Sequence, residues 1–185
     1  LLTKLNDSVT DNPFGVVDIQ IKDGKVTVEM EVTGSTPSTF HMQHIHIGEA
    51  CPTMDDDANE DGFIDVLEGL PAYGPILIPL DGNLNSQSAG ASEYPTSDES
   101  GRYDYQKTGS LESLMKDLKK SDPNPDDAIV KLGDAALNLG KRHIIIHGVP
   151  EDTELPDTVG TIGDLPATAT LPIACGAIEK FDIGN

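Results

Sequence analysis

Tryptophan is absent, aromatic residues make up 4 % of the chain, and basic residues are scarce: 12 Lys and Arg against 32 Asp and Glu in 185 residues, a formal net charge of −20. With so few rings, the core must be mostly aliphatic. The shortage of cations excludes a nucleic-acid-binding or anionic-membrane face, which needs clustered Lys and Arg. It also weighs against small anionic substrates, unless a local basic patch overrides the global field. Divalent cations are the natural partners of such a surface. Long apolar runs are missing too. The longest, Pro75 to Leu80, is strand-sized, far short of the run of about 20 residues that spans a bilayer. No signal peptide is visible and the chain opens at Leu1, which reads as a mature or trimmed segment with its targeting sequence removed. Cysteine occurs only as Cys51 and Cys175. Counting alone allows either a disulfide, which implies an oxidising compartment, or two buried free thiols.

Hydrophobic residues make up 37 % of the chain, enough for a packed core rather than a disordered acidic tail. The length and the lack of repeats or boundaries indicate one domain over 1–185. The clearest local pattern is a β-hairpin from Val16 to Val32. Val17, Ile19 and Ile21 alternate with polar residues, Asp23-Gly24 makes the turn, and Val26, Val28, Met30 and Val32 alternate again. Further strands are expected over 40–47, 76–80, 101–106, 143–147 and 174–181. Turn-rich stretches between them suggest an antiparallel sandwich or barrel. One helix is expected at 110–120, with Leu111, Leu114, Met115 and Leu118 on one face, Ser110 as N-cap, and Pro123 and Pro125 ending it. Another helical turn or two fits 126–139. The segments 81–100 and 150–170 read as long loops of the kind that are functional or tied down.

The sharpest motif runs from Asp57 to Glu68 and fits the twelve-residue calcium loop D-x-[DN]-x-[DN]-G-x5-E. Asp57, Asn59 and Asp61 take positions one, three and five. Gly62 makes the sharp turn, Phe63 offers its carbonyl at seven, Asp65 acts at nine, and Glu68 closes the shell at twelve. The flanks do not suit a full EF-hand, since Cys51-Pro52-Thr53 is a poor helix and Gly69-Leu70-Pro71 should end any helix that follows. An isolated loop of this kind is expected to be structural rather than signalling.

All five histidines fall in two groups, His41, His44 and His46, then His143 and His147. On a strand His44 and His46 share a face with Met42, and His41 points the other way. Two imidazoles from His44 and His46 and a third from His147 suit copper or zinc. His143 lies about 13 Å from His147 along an extended strand, so the two cannot share one ion; it is expected at the surface or behind the site.

These patches resemble a known family. The strand His44-Ile45-His46-Ile47-Gly48 resembles the His-x-His…Gly strand of copper/zinc superoxide dismutases, and Cys51 follows as their disulfide cysteine does, though closer. The stretch Ile144-Ile145-Ile146-His147-Gly148 resembles their later strand, which ends in a copper-ligating histidine. Ala174-Cys175-Gly176-Ala177-Ile178 is similar to their C-terminal Ala-Cys-Gly-Val-Ile. The resemblance implies an all-β, immunoglobulin-like Greek-key sandwich or flattened barrel with long loops and one or two short helices. It also implies a Cys51–Cys175 disulfide, and copper on His44, His46 and His147. There is a likeness as well to the related chordin-type domains, whose Gly-Pro-Val-Val-x-x-Leu strand compares with Gly74 to Leu80. The departures are specific. No histidine lies between His46 and His143, so the bridging histidine and the remaining zinc ligands are absent and the calcium loop occupies that region. The family's arginine three residues before the second cysteine is Pro172 here.

Two function classes follow. One is a secreted, extracellular or periplasmic, copper-only superoxide dismutase-like enzyme stabilised by calcium. Its copper would alternately oxidise and reduce superoxide, with Lys141 and Arg142 partly replacing the missing arginine. The other is a non-catalytic calcium-stabilised module that binds metal, or serves in adhesion or structure. Met42 would favour Cu(I) in a carrier if its thioether reached the metal.

Overall fold

The computed structural model describes residues 2–10, 12–87, 93–121 and 136–179. The described strands are β1 (Thr3–Lys4), β2 (Phe14–Lys22), β3 (Lys25–Thr33), β4 (Gln43–His46), β5 (Ile76–Pro79), β6 (Tyr103–Ser110), β7 (His143–His147) and β8 (Pro172–Ala177). Three helices accompany them: α1 (Val66–Tyr73), α2 (Leu111–Ser121) and α3 (Ala167–Thr170). The expected helix stop at Pro123–Pro125, most of the helical stretch from Asp126, the centre of the 81–100 loop and the end of the strand expected to reach Phe181 lie outside the described residues.

The strands form two antiparallel sheets, one ordered β1-β8-β7-β4-β5 and the other β2-β3-β6. Among the described residues no strand pairing joins the two sheets. The architecture is therefore an open sandwich and not the closed form of a flattened barrel. The hairpin forms as the alternation demands, with Val17 opposite Met30 and Lys22 opposite Lys25. Asp23 and Gly24 both take positive φ, 50° and 72°, the combination a two-residue turn needs to match strand twist. Val26, Val28, Met30 and Val32 are all at most 2 % exposed and share one cluster with Ile45, Ile144 and Ile146 from the facing sheet. Fully burying such a side chain contributes about 1.5–3 kcal/mol.

The five-stranded sheet is covered on both faces. Every residue of β4 and β7 is buried, which explains why β7 reads as a continuous apolar run rather than an alternating one. Its second face carries a smaller cluster of Leu5, Ile64, Tyr73, Ile145 and Cys175, with Cys51 packed alongside. Cys51 and Cys175 form a disulfide across a sequence separation of 124, with their Cα atoms 5.7 Å apart. The alternative of two free thiols is thereby removed.

Two sequence expectations need correction here. Gly69 and Pro71 do not end the chain's exit from the acidic loop, because α1 runs through both. Asp65 starts that helix, its side chain accepting from Leu67 N and Glu68 N at 2.7 and 3.0 Å. Gly69 leaves space for a Tyr73 ring that a Cβ would meet at 2.4 Å. One lost hydrogen bond at Pro71 is tolerated in so short and well packed a helix. The 150–170 segment also ends in a helical turn, α3, rather than in loop throughout. Helix α2 forms as expected, with Ser110 Oγ accepting from Ser113 N at 3.2 Å.

Candidate metal centre

Strand β4 alternates strictly. Gln43 and Ile45 face the sandwich interior, and His44 and His46 face the outer layer with Met42. Strand β7 lies antiparallel beside it, with His44 opposite Ile145. Past the end of the ladder, His147 N donates to Met42 O at 2.8 Å, which sets His147 beside the other two histidines. Register shifts occur at both places where the site needs them, between Ile45 and His46 toward β5 and between Ile146 and His147 toward β8. Such irregularities re-aim side chains at functional sites.

The result is a compact triad. The ring centroids of His44 lie 5.5 Å from those of His46 and 5.4 Å from His147, and His46 and His147 are 6.3 Å apart. One nitrogen from each lies within 4.8 Å of the others. All three side chains are at most 5 % exposed. The hydrogen bonds are complementary. His46 Nδ1 donates to Gly74 O at 2.7 Å, and His147 Nδ1 donates to Thr170 O at 2.7 Å. His44 Nε2 sits 2.9 Å from the Tyr94 hydroxyl. The opposite nitrogens, His44 Nδ1, His46 Nε2 and His147 Nε2, are buried and have no partner. A buried polar atom without a partner is costly, and a metal ion held by these rings would satisfy all three while each other nitrogen keeps its outer hydrogen bond. The donor set therefore fits an imidazole-binding metal.

Burial also keeps these rings neutral. It pulls His46 down to about 3 and His147 down to about 4, against the raising effect of their carbonyl partners. His44 is lowered well below its ordinary value, first by burial and then by repulsion from His147 and His46.

No known family model matches the chain, and no curated protein is similar enough in sequence to count as a relative.

The triad forms part of a cavity of about 430 Å³ whose other walls include Met42, Leu70, Tyr73, Ile76 and Tyr94. Met42 thus faces the site as its parity required. His41 faces the other way, its Nδ1 donating to His147 O at 3.0 Å and its ring stacked on Tyr103. His143 stands apart from the triad, as expected, but is buried rather than at the surface, with Nδ1 donating to Gly48 O at 3.1 Å. Lys141 and Arg142, expected to replace the missing arginine in part, are held away from the cavity lining. The Arg142 guanidinium donates to Ile47 O at 2.6 Å, Lys141 pairs with Glu49 at 3.7 Å, and neither lines the cavity. Gly48 is required by close packing, since a Cβ there would fall 2.3 Å from Ala72 O at the end of α1.

The acidic loop is well ordered by its own side chains. Asp57 accepts from Asp61 N and Gly62 N, Asn59 Oδ1 accepts from Asp61 N, and Asp61 accepts from Phe63 N. Glu68 reaches back to Ala58 N, Asn59 N and Asp65 N. Gly62 has φ of 89°, the sharp turn expected at position six. Among the described residues, the three histidines are the one set of His, Cys, Asp or Glu whose ligand atoms gather at a point; the loop carboxylates are turned onto amides instead.

Sequence reasoning missed four contributors. Tyr94 and the carbonyls of Gly74 and Thr170 orient the histidines. Asn6 clamps the end of the acidic loop to β8, with Nδ2 donating to Ile64 O and Pro172 O and Oδ1 accepting from Ile64 N. Carbonyl contacts leave no residue-type signature, and a lone Asn near a terminus carries none either.

Proposed function

We propose that this chain is a secreted copper-binding protein of the copper-only superoxide dismutase-like kind, with one copper ion on His44, His46 and His147 and a calcium ion on the 57–68 loop. The observation that carries the copper site is the convergence of three buried, neutral, unpartnered imidazole nitrogens from adjacent strands. Three imidazoles suit copper or zinc, and the resemblance to superoxide dismutases without their remaining zinc ligands favours copper. A copper ion there would supply one-electron exchange between its two oxidation states. The chain's own residues hold the three rings by Gly74 O, Thr170 O and the Tyr94 hydroxyl, and line the space beside them with apolar side chains. The Greek-key connection belongs to the same proposal. The disulfide supports an oxidising compartment, and no described helix is long and apolar enough to cross a membrane.

The second reading, a non-catalytic metal-binding or adhesion module, is favoured by one observation: among the described residues no Lys or Arg lines the cavity, so nothing local opposes the −20 charge to draw in an anion. Elemental analysis after incubation with copper, zinc and calcium, followed by desalting, tests the metals. One copper per chain, lost in His147→Ala with the circular dichroism spectrum unchanged, is expected. A superoxide assay on the copper-loaded protein then separates the readings, with no turnover above free buffer favouring the second.

A further inference from the structure

The cavity above the triad is unlike a passage for a small hydrated anion. Among the described residues its lining contains no Asp, Glu, Lys or Arg. Its walls are Val66 and Leu70 from α1, Met42 and Ile76 from the sheet, and Ile162 and Leu165 from the 150–170 loop. Ile162 and Leu165 are 46 % and 40 % exposed, so the apolar surface continues outward to the rim. A cavity of about 430 Å³ is within the range that holds small organic molecules, where apolar walls supply affinity and a few polar groups fix orientation.

The polar side chains of the lining are few: the three histidines, Tyr94, Tyr73 and Thr170. The Tyr73 hydroxyl donates to Val66 O and the Thr170 hydroxyl to Thr161 Oγ1, whereas one nitrogen of each triad ring has no partner. If His44 Nδ1 faces a metal, its Nε2 carries the proton and donates to Tyr94 Oη. The tyrosine's own O–H is then left to donate to something else. The rim is also fixed in place: Gly160 N donates to Asp65 Oδ2 at 2.5 Å and Thr158 Oγ1 to Asp61 Oδ2 at 2.6 Å, which ties the loop bearing Ile162 and Leu165 to the acidic loop.

We infer that this site binds an uncharged, largely apolar small molecule, the size of one or two rings, with a single donor atom directed at the triad. This rests on the three histidines holding a metal, and it names the ligand class of that site in favour of the non-catalytic reading, since a site that disfavours anions does not suit superoxide. Charge selection follows from desolvation. An anion entering this apolar cavity loses hydration with no Lys or Arg in the lining, and only the metal itself, to replace it, whereas a ring gains by burial.

Titration of the copper-loaded protein with 4-phenylimidazole, imidazole and azide tests this, followed by the copper visible and electron paramagnetic resonance spectra. All three offer nitrogen donors, and they differ in apolar body and charge. The expected result is 4-phenylimidazole binding at least about tenfold more tightly than imidazole, from burial of the added ring, with azide the weakest. Ile162→Lys and Leu165→Lys, at exposed positions, should each lower the preference for 4-phenylimidazole and strengthen azide. Equal affinity for the two imidazoles, tightest binding by azide, or a preference unmoved by both substitutions overturns the inference. Elemental analysis of the same sample separates the two possible failures. A copper-free sample overturns the copper proposal, and calorimetry of that protein with the same probes then decides the cavity inference, with no preference for the larger ring overturning it.

Discussion

His46 Nδ1 donates to the carbonyl of Gly74 at 2.7 Å, and Gly74 caps the helix whose first turn is held by Asp65 and Glu68 of the acidic loop. One short helix therefore joins the candidate calcium loop to one ring of the candidate copper site. Asp65 also accepts from Gly160 N, and Asn59 Nδ2 donates to Thr158 O at 3.3 Å. The loop thus fastens both the ring and the rim of the cavity.

Calcium should raise the midpoint of thermal unfolding of the wild-type chain, by linkage to a ligand that binds only the folded loop. Glu68→Gln should abolish that rise. Because Glu68 also accepts three backbone amides, the variant should be less stable than wild type even in chelator, by about 1–3 kcal/mol. Differential scanning calorimetry with and without calcium checks both. A calcium response that survives Glu68→Gln places the ion elsewhere.

Tyr94→Phe should keep the fold and weaken copper binding. The ring stays to pack edge-on against Phe40 and His44, while the partner of His44 Nε2 is lost. Losses of this outer kind cost about 10- to 100-fold in metal affinity. Competition with a calibrated copper chelator measures it, and unchanged affinity would remove Tyr94 from the site.

The metal-free protein should lose stability on acidification through a defined window. A histidine held neutral by burial binds its proton more weakly folded than unfolded. Above about pH 6.5 neither state is charged, and the three rings cost nothing. As pH falls from there toward about 4 and then about 3, the values to which His147 and His46 are lowered, the unfolded chain takes up protons that the native one does not, so stability falls. Below that His147 and His46 are protonated in both states and their contribution levels off. Urea unfolding from pH 7.5 to 4 checks the direction. Copper on the triad should raise the upper part of the curve with its slope unchanged, because it stabilises a native state whose rings are unprotonated there already.

Reducing the disulfide should destabilise the fold without dismantling the triad. The bond closes a loop with a sequence separation of 124, which the chain-entropy treatment values at about 4–5 kcal/mol. Denaturant midpoints of oxidised protein and Cys175→Ser give the difference. Neither cysteine contributes to the triad, so copper stoichiometry under native conditions should stay at one.

Local signals were legible wherever one face of an element decided its fate. The β2–β3 hairpin follows from alternation and the Asp23-Gly24 turn, and β7 from its run of isoleucines between two histidines. Helix α1 was not legible. Gly69 and Pro71 are poor helix residues, and it forms because Asp65 caps it and Tyr73 buries itself in the second cluster. The strand expected over 40–47 is shorter, β4 alone, with Phe40 making an isolated bridge to Thr96. That boundary depends on a partner segment far along the chain.

The same division runs through the site. By itself the sequence determined which imidazoles could meet: the period of two puts His44, His46 and Met42 on one face and His41 on the other. Only the tertiary structure decided that β7 lies beside β4, so that His147, the third ring the sequence suggested, meets the other two, that Arg142 turns to a backbone carbonyl, and that apolar side chains from α1 and the 150–170 loop line the space beside the rings. The reason is physical. Side-chain direction along a strand is local geometry, whereas a cavity is made by elements that meet only when their apolar faces leave water together.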